Sequence, residues 1–383
     1  MAFDRIGSIL FYMLIAVITC LMAYQIQPFE PAETAWSGGY RTRRSARNRL
    51  LTAGIFLILF SVMALRFDIG NDYRQYTQTA HEAYVGGYVV TEIGFNTLVK
   101  VLYWLSGGEY YELVFAVFAA VTLFFFLRAF ARQSVNFSQT FFLFMTLGLY
   151  FQTFNTVRYY LALSIALFSM KYVLDRDYLK FIFWILIAAL FHKSVLLVIP
   201  VYWIASFAWK RWHILTGLAA SVLRYAGKGI LLKLALVLYP SYKNTIYLEG
   251  GTSPISILRT LAVLALYVWF MRYQGDAFQN DSRYRELRFY GQLNLLAFAA
   301  STFFSFLPVV TRIAYYFGVS QLFMIPLIIQ GIEDKKVQRR VSALIFAVCV
   351  CYFAVFLLQA HQDGVGLLPY RSWLFETERY LYK

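Results

Sequence analysis

Arg66, Asp68, Asp72 and Arg74 crowd residues 66–74, just after an apolar run, and Glu92 closes the polar stretch that follows. Asn155 and Arg158 stand near one later turn, His192, Lys193 and Ser194 at another, and Arg312 at a third. Ionisable groups in or beside apolar runs are expensive, and function is the default reason for keeping them. Guanidinium forks match phosphate oxygens bidentately and stay charged at any accessible pH. Two or three such arginines suit the pyrophosphate of a lipid whose tail runs between helices. Asp72, Glu92 and His192 offer general-base chemistry. Tyrosines are dense in the same stretches (Tyr73, Tyr76, Tyr84, Tyr88, Tyr159, Tyr160, Tyr315, Tyr316) and can stack on sugars and hydrogen-bond their hydroxyls. Each has a plainer reading. A lone tyrosine usually belongs to an interfacial aromatic belt. Lys193, Lys228 and Lys243 read as snorkelling side chains, and His192 alone reads equally well as a structural hydrogen-bonder. Arg158 is harder to dismiss, because it lies inside the run FNTVRYYLALSIALF.

The elements that must position these groups are membrane helices. Of the 383 residues 60% are hydrophobic and 14% charged, against about 25% charged in a soluble domain. Solid apolar runs near the spanning length recur along the chain, without the period-2 alternation of a barrel. The fold class is therefore all-α, a polytopic transmembrane bundle of about twelve crossings plus interfacial segments. We place crossings at 8–25, 50–65, 109–128, 138–152, 156–174, 179–191, 194–209, near 213–226, and at 254–271, 289–307, 311–331 and 341–359. Residues 94–107 read as a short amphipathic helix on the outer leaflet. The cluster Arg41, Arg43, Arg44, Arg47 and Arg49 fixes its loop in the cytoplasm, as do Arg176 with Lys180 and Lys335 with Arg340 in later turns. Residues 66–93, the turns carrying Arg158, His192 and Arg312, and the tail 360–383 (with solvated Glu376 and Glu378) then share the outer face. Basic residues there run against the positive-inside pattern and ask for a cause.

The net charge of +15 marks cytoplasmic loops rather than nucleic-acid binding. Cys20, Cys349 and Cys351 lie in apolar runs, so we expect no disulfide and no metal. The first run reads as a retained helix rather than a signal peptide. We expect one membrane domain over 1–383, with 212–250 ambiguous. Neither a nucleotide-binding loop nor a zinc-protease or serine-hydrolase motif occurs.

Several stretches, in order over residues 50–330, resemble the EpsG family of Wzy-type exopolysaccharide polymerases. They are RFDIGNDYRQY with Gly70, Asp72, Tyr73 and Tyr76; EIGFNTL with Glu92; NTVRYYLALSIALF with Asn155 and Arg158; FHKS with His192; and TRIAYYF with Arg312. Asn71, inserted between Gly70 and Asp72, departs from the family's Gly-Asp pattern. The resemblance implies a GT-C-like enzyme outside a bacterial inner membrane. It would move a growing glycan from polyprenyl pyrophosphate onto a lipid-linked repeat unit, without a cofactor or an obligatory metal. Arg66, Arg158 and Arg312 would hold the pyrophosphate. Asp72, or else Glu92 or His192, would act as base, and Tyr73, Tyr76, Asn155 and Tyr159 would contact the glycan. A flippase and a chain-length regulator are the expected partners. Rival readings are a glycan ligase using the same donor, a flippase, which would place polar groups at mid-membrane on both faces, and a membrane O-acyltransferase centred on His192.

Overall fold

The computed structural model describes residues 4–29, 42–209, 229, 233, 254–274, 278, 281, 283–305, 310–361 and 365–375. The expected crossing near 213–226, the interfacial stretch to 250, Arg41, Glu376 and Glu378 lie outside them. The described residues are helical, with one isolated antiparallel bridge between Arg66 and Ser372. The all-α membrane bundle is thus the fold. Seven helices are long and apolar enough to cross a membrane, and two apolar ones, Tyr178–Ala189 and Lys193–Ser206, are shorter.

Contacts divide the chain into two compact units. The first holds residues 1–169, 186–193 and 335–383. It contains α1 (Arg5–Tyr24), α2 (Arg43–Ala64), α3 (Tyr73–Val85), α4 (Ile93–Ser106), α5 (Tyr111–Gln133), α6 (Phe137–Thr146), the single turn α7 (Leu149–Gln152), most of α8 (Val157–Leu174) and α15 (Lys335–Leu358). The second, residues 170–185 and 194–334, contains most of α9 (Tyr178–Ala189), α10 (Val198–Ser206), α11 (Pro254–Gln274), α12 (Tyr284–Phe303), α13 (Val310–Gly318) and α14 (Gln321–Gly331).

Lipid offers helices no hydrophobic reason to associate, so packing and interhelical hydrogen bonds must do it. In the first unit the packing is aromatic. Phe126 and Phe144 lie 4.8 Å apart between ring centroids, and Tyr150 and Phe151 4.9 Å apart. Gln133 reaches from α5 to the Leu167 carbonyl of α8 at 2.9 Å, and the Tyr150 hydroxyl reaches the Leu59 carbonyl of α2 at 2.7 Å. Buried Thr19, Ser164 and Ser169 bond back to carbonyls of their own helices, so these three hydroxyls are satisfied without a partner on another helix. In the second unit the Tyr202 hydroxyl donates to the Tyr316 carbonyl at 2.6 Å, and Asn294 ties α12 to Ser320 at 2.9 Å.

Three departures from the sequence reading bear on the site. The polar stretch 66–93 contains a helix, α3, whose buried Tyr73, Tyr76, Thr77, Ala80 and Ala83 recur at helical spacing. The run 138–152 is not one helix but breaks at Gly148, which takes φ +72. The tail residues 365–375 fold back onto the first unit. The Tyr370 hydroxyl donates to the Val62 carbonyl at 3.1 Å, its amide donates to Ser8 Oγ at 2.8 Å, and the Tyr12 hydroxyl donates to the Leu367 carbonyl at 3.0 Å.

The Gly148 break has a direct test. A Cβ there would sit 3.0 Å from the Phe356 ring, on a backbone that L side chains avoid. Gly148→Ala is expected to destabilise the detergent-solubilised protein by on the order of 1–3 kcal/mol, read as a lowered Tm. An unchanged Tm contradicts the break.

Candidate functional site

The site grows from three turns of the first unit. Residues 65–72, leaving α2, lie against the turn at 153–156. Gly70, at φ +97, comes so close to the Phe154 carbonyl that a Cβ would meet it at 2.5 Å, which explains the glycine. The Asn155 Oδ1 accepts the Asn71 amide at 2.8 Å. Asp72 stands at the N-cap position of α3 but does not cap it; its Oδ2 accepts the Thr156 hydroxyl at 2.8 Å. Two segments distant in sequence thus fix the carboxylate, leaving Oδ1 without a hydrogen bond among the described residues.

Glu92 likewise forgoes capping α4. Its Oε2 accepts from the Arg158 guanidinium of α8, and its Oε1 accepts the Lys193 backbone amide at 3.1 Å. Both side chains of the ion pair are 17% exposed. Next to Glu92, Gly94 donates to the Leu190 carbonyl at 2.8 Å, and a Cβ would approach that oxygen to 2.5 Å. Close backbone contact is therefore what brings α4 to the turn bearing His192. Arg158 also lies over the rings of Tyr76 and Phe95, at 5.5 and 5.4 Å, and its Nε points to the Tyr76 hydroxyl at 3.4 Å. Next along α8, Tyr159 meets buried His192 edge to face at 5.5 Å.

Beneath this layer lies Arg66, 1% exposed. Its guanidinium donates to the Met63 carbonyl and, at 3.3 Å, to the Phe154 carbonyl, while its Nε has no partner. The rings of Phe115, Phe154 and Tyr73 lie 4.9, 5.3 and 6.0 Å from it. Burial lowers its pKa to about 10, so it remains a cation at neutral pH, solvated by carbonyls and π faces instead of a counter-ion. Asp68, at φ +52, pairs bidentately with Arg74 at 2.9 and 2.6 Å and also approaches Arg371 of the tail at 4.0 Å. That pairing accounts for charges that looked unexplained in the sequence.

Of the residues singled out by sequence, Asp72, Glu92, Asn155, Arg158, Tyr76, Tyr159 and His192 thus come together in one unit, with Arg66 and Tyr73 packed underneath. Tyr73 stacks on Phe115 at 4.5 Å and is 1% exposed. Arg312 belongs to the second unit, half-buried on α13, as does Ser194, whose hydroxyl is 3.2 Å from that of Tyr316. Sequence reasoning passed over Thr156 and the tail. The Phe67 amide donates to the Arg371 carbonyl at 2.9 Å, the Trp373 amide to the Leu65 carbonyl at 3.1 Å, and the Gly70 amide to the Gly366 carbonyl at 2.8 Å. A hydroxyl between Asn155 and Val157 carries no sequence signal for a carboxylate 84 residues away.

Two stability measurements follow. Removing Glu92 strands the Arg158 charge, so Glu92→Ala is expected to cost on the order of 3 kcal/mol. The double variant Glu92→Ala/Arg158→Ala should cost less than the sum of the singles; strict additivity contradicts the pairing. Arg66→Lys, whose ammonium cannot fork to two carbonyls, should lose about 2 kcal/mol in the same assay, and a neutral result contradicts the role given to the fork.

No curated protein and no solved structure matches the chain. The EpsG family matches it over residues 49–372, from within α2 to the tail residue Ser372 that bridges to Arg66. That span covers most of the sequence and every residue of the site, so this chain belongs to the EpsG family and is a multi-pass membrane protein of the polysaccharide-polymerase type.

Proposed function

We propose that the protein lengthens a polysaccharide at the periplasmic face of a bacterial inner membrane. In this reading it transfers the growing glycan from polyprenyl pyrophosphate onto a sugar hydroxyl of a lipid-linked repeat unit. The observation that carries the reading is the join made by Glu92, which sets Arg158, the turn of His192 and, through the neighbouring 153–156 turn, Asp72 within one unit.

The acceptor hydroxyl oxygen attacks the anomeric carbon of the donor. The bond from that carbon to the phosphate oxygen breaks, and the pyrophosphate leaves with the electron pair. Asp72 takes the hydroxyl proton through Oδ1, its Oδ2 being held by Thr156. Arg158 faces the charge developing on the leaving pyrophosphate, where a fixed cation in a water-poor site is worth most. Glu92 spends both oxygens on Arg158 and Lys193, which suits a positioning role better than that of a base. His192, packed on Tyr159, is the second candidate for proton transfer. Arg66 and Tyr73, sealed by their neighbours, hold the floor of the site, and Asn155 fixes the 70–72 loop. Tyr76 and Tyr159 are the candidates for contact with sugar. The resemblance of the TRIAYYF element makes Arg312, in the second unit, a separate candidate for binding pyrophosphate. A flippase supplies, and a chain-length regulator limits, this reaction.

The test is polymer length in cells that carry Asp72→Asn, Arg158→Ala, His192→Ala or Arg312→Ala at matched protein levels. Losing the base or a transition-state cation costs about 10²–10³-fold in rate, so Asp72→Asn and Arg158→Ala should leave single repeat units on the lipid carrier. Long chains in Asp72→Asn, Arg158→Ala and His192→Ala alike reject the assignment. Full-length polymer stranded on the carrier would instead identify a ligase.

A further inference from the structure

The second unit has a groove that the transfer reaction does not use. It encloses about 850 Å³, counting its open mouth, and is lined by Arg176, Arg285 and Arg288 together with Tyr178, Trp203 and Phe207. No lining residue is acidic. The acids on or next to the groove's own helix ends are already engaged. Asp177 holds Lys180 at 2.6 Å, Asp281 holds Arg283 at 2.6 Å, and Asp175 and Glu286 share Lys171 at 3.0 and 3.8 Å. Among the described residues neither Arg176 nor Arg288 pairs with a carboxylate. Arg285 donates to the Leu174 carbonyl at the end of α8. Arg288 lies 5.8 Å from the Tyr284 ring and keeps a buried Nε–H with no acceptor. Arg176 is exposed and held at φ +61, a backbone state that non-glycine residues seldom adopt unless the surroundings enforce it.

Three arginines in a groove that no acid lines favour an anion, and guanidinium forks fit phosphate best. The remainder of the wall says which phosphate. Trp203 and Phe207 are about half exposed, at 51% and 49%, as suits side chains at the level of lipid headgroups. The groove is built from the end of α8, the start of α9, the end of α10 and the start of α12. Each of these ends carries, or adjoins in sequence, the Lys and Arg residues that mark the cytoplasmic side. Basic pockets between helices at that side are suited to phospholipid headgroups. We propose that this groove binds the phosphate of an anionic phospholipid from the cytoplasmic leaflet, with the arginines on the phosphate and Trp203 and Phe207 against the upper acyl chain. The proposal stands apart from the polymerase reading, since it uses no residue of that site.

The full-length protein, purified and placed in nanodiscs, tests it by native mass spectrometry of retained lipid with phosphatidylglycerol and phosphatidylcholine in equal amounts. The expected result is selective retention of phosphatidylglycerol. Arg176→Gln/Arg288→Gln should lower it roughly 25-fold, at about fivefold per basic residue. Arg339→Gln/Arg340→Gln removes the same charge from exposed residues of the first unit and should leave retention unchanged. Arg176→Gln alone, on an exposed side chain, should still lose about fivefold if the double variant fails to fold. Equal retention by wild type and groove variants overturns the proposal, as does an equal loss in the Arg339/Arg340 control. Displacement of the lipid by millimolar inorganic phosphate overturns the lipid assignment in favour of a soluble phosphate.

Discussion

The carboxylate of Glu92 is the constraint on which the site depends. One oxygen holds Arg158, 66 residues away, and the other holds the Lys193 amide, 101 residues away. The Gly94–Leu190 backbone contact and the Tyr159–His192 ring contact join the same elements. A half-buried ion pair with a backbone donor on the free oxygen escapes much of the desolvation penalty that makes isolated buried pairs poor stabilisers. It also holds Arg158 in one orientation before any substrate arrives, which is the preorganisation that electrostatic catalysis requires.

The layer beneath shows why so much of the first unit is aromatic. Arg66 is a buried cation with no carboxylate, and Phe115, Phe154 and Tyr73 line its surroundings while two carbonyls take its donors. The Tyr150 and Tyr370 hydroxyls satisfy α2 carbonyls just below it, at Leu59 and Val62. The chain's tail completes this layer, bridging at Ser372 and packing Arg371 5.2 Å over Phe67. Tail residues that the sequence places only on the outer face thus pair with the backbone beside buried Arg66.

The membrane class was legible, and the candidate residues could be singled out, because both rest on one-dimensional signals. Apolar runs of spanning length announce helices, and charged residues at their ends stand out against lipid. The Gly70 and Gly94 positions were visible in the motifs, though not the backbone contacts that require them. What escaped the sequence was three-dimensional. The break at Gly148 lies inside an unbroken apolar run, because hydropathy does not register a positive φ. The helix α3 hid in a polar stretch, since its buried face is made of tyrosine, threonine and alanine rather than aliphatics. Among the described residues seven helices are both long and apolar enough to cross a membrane, with shorter apolar helices such as Tyr178–Ala189 beside them. The Asp68–Arg74 pair, six residues apart across a left-handed turn, follows no helical spacing and could not be read in advance.

A density map of the protein with a polyprenyl-pyrophosphate donor bound decides the central claim most directly. The expected diphosphate lies within hydrogen-bond reach of the Arg158 guanidinium, with Glu92 still on the Lys193 amide and Asp72 Oδ1 open toward the sugar. Diphosphate density remote from Arg158, with the Glu92–Arg158 pair undisturbed and Asp72 facing protein alone, would contradict it.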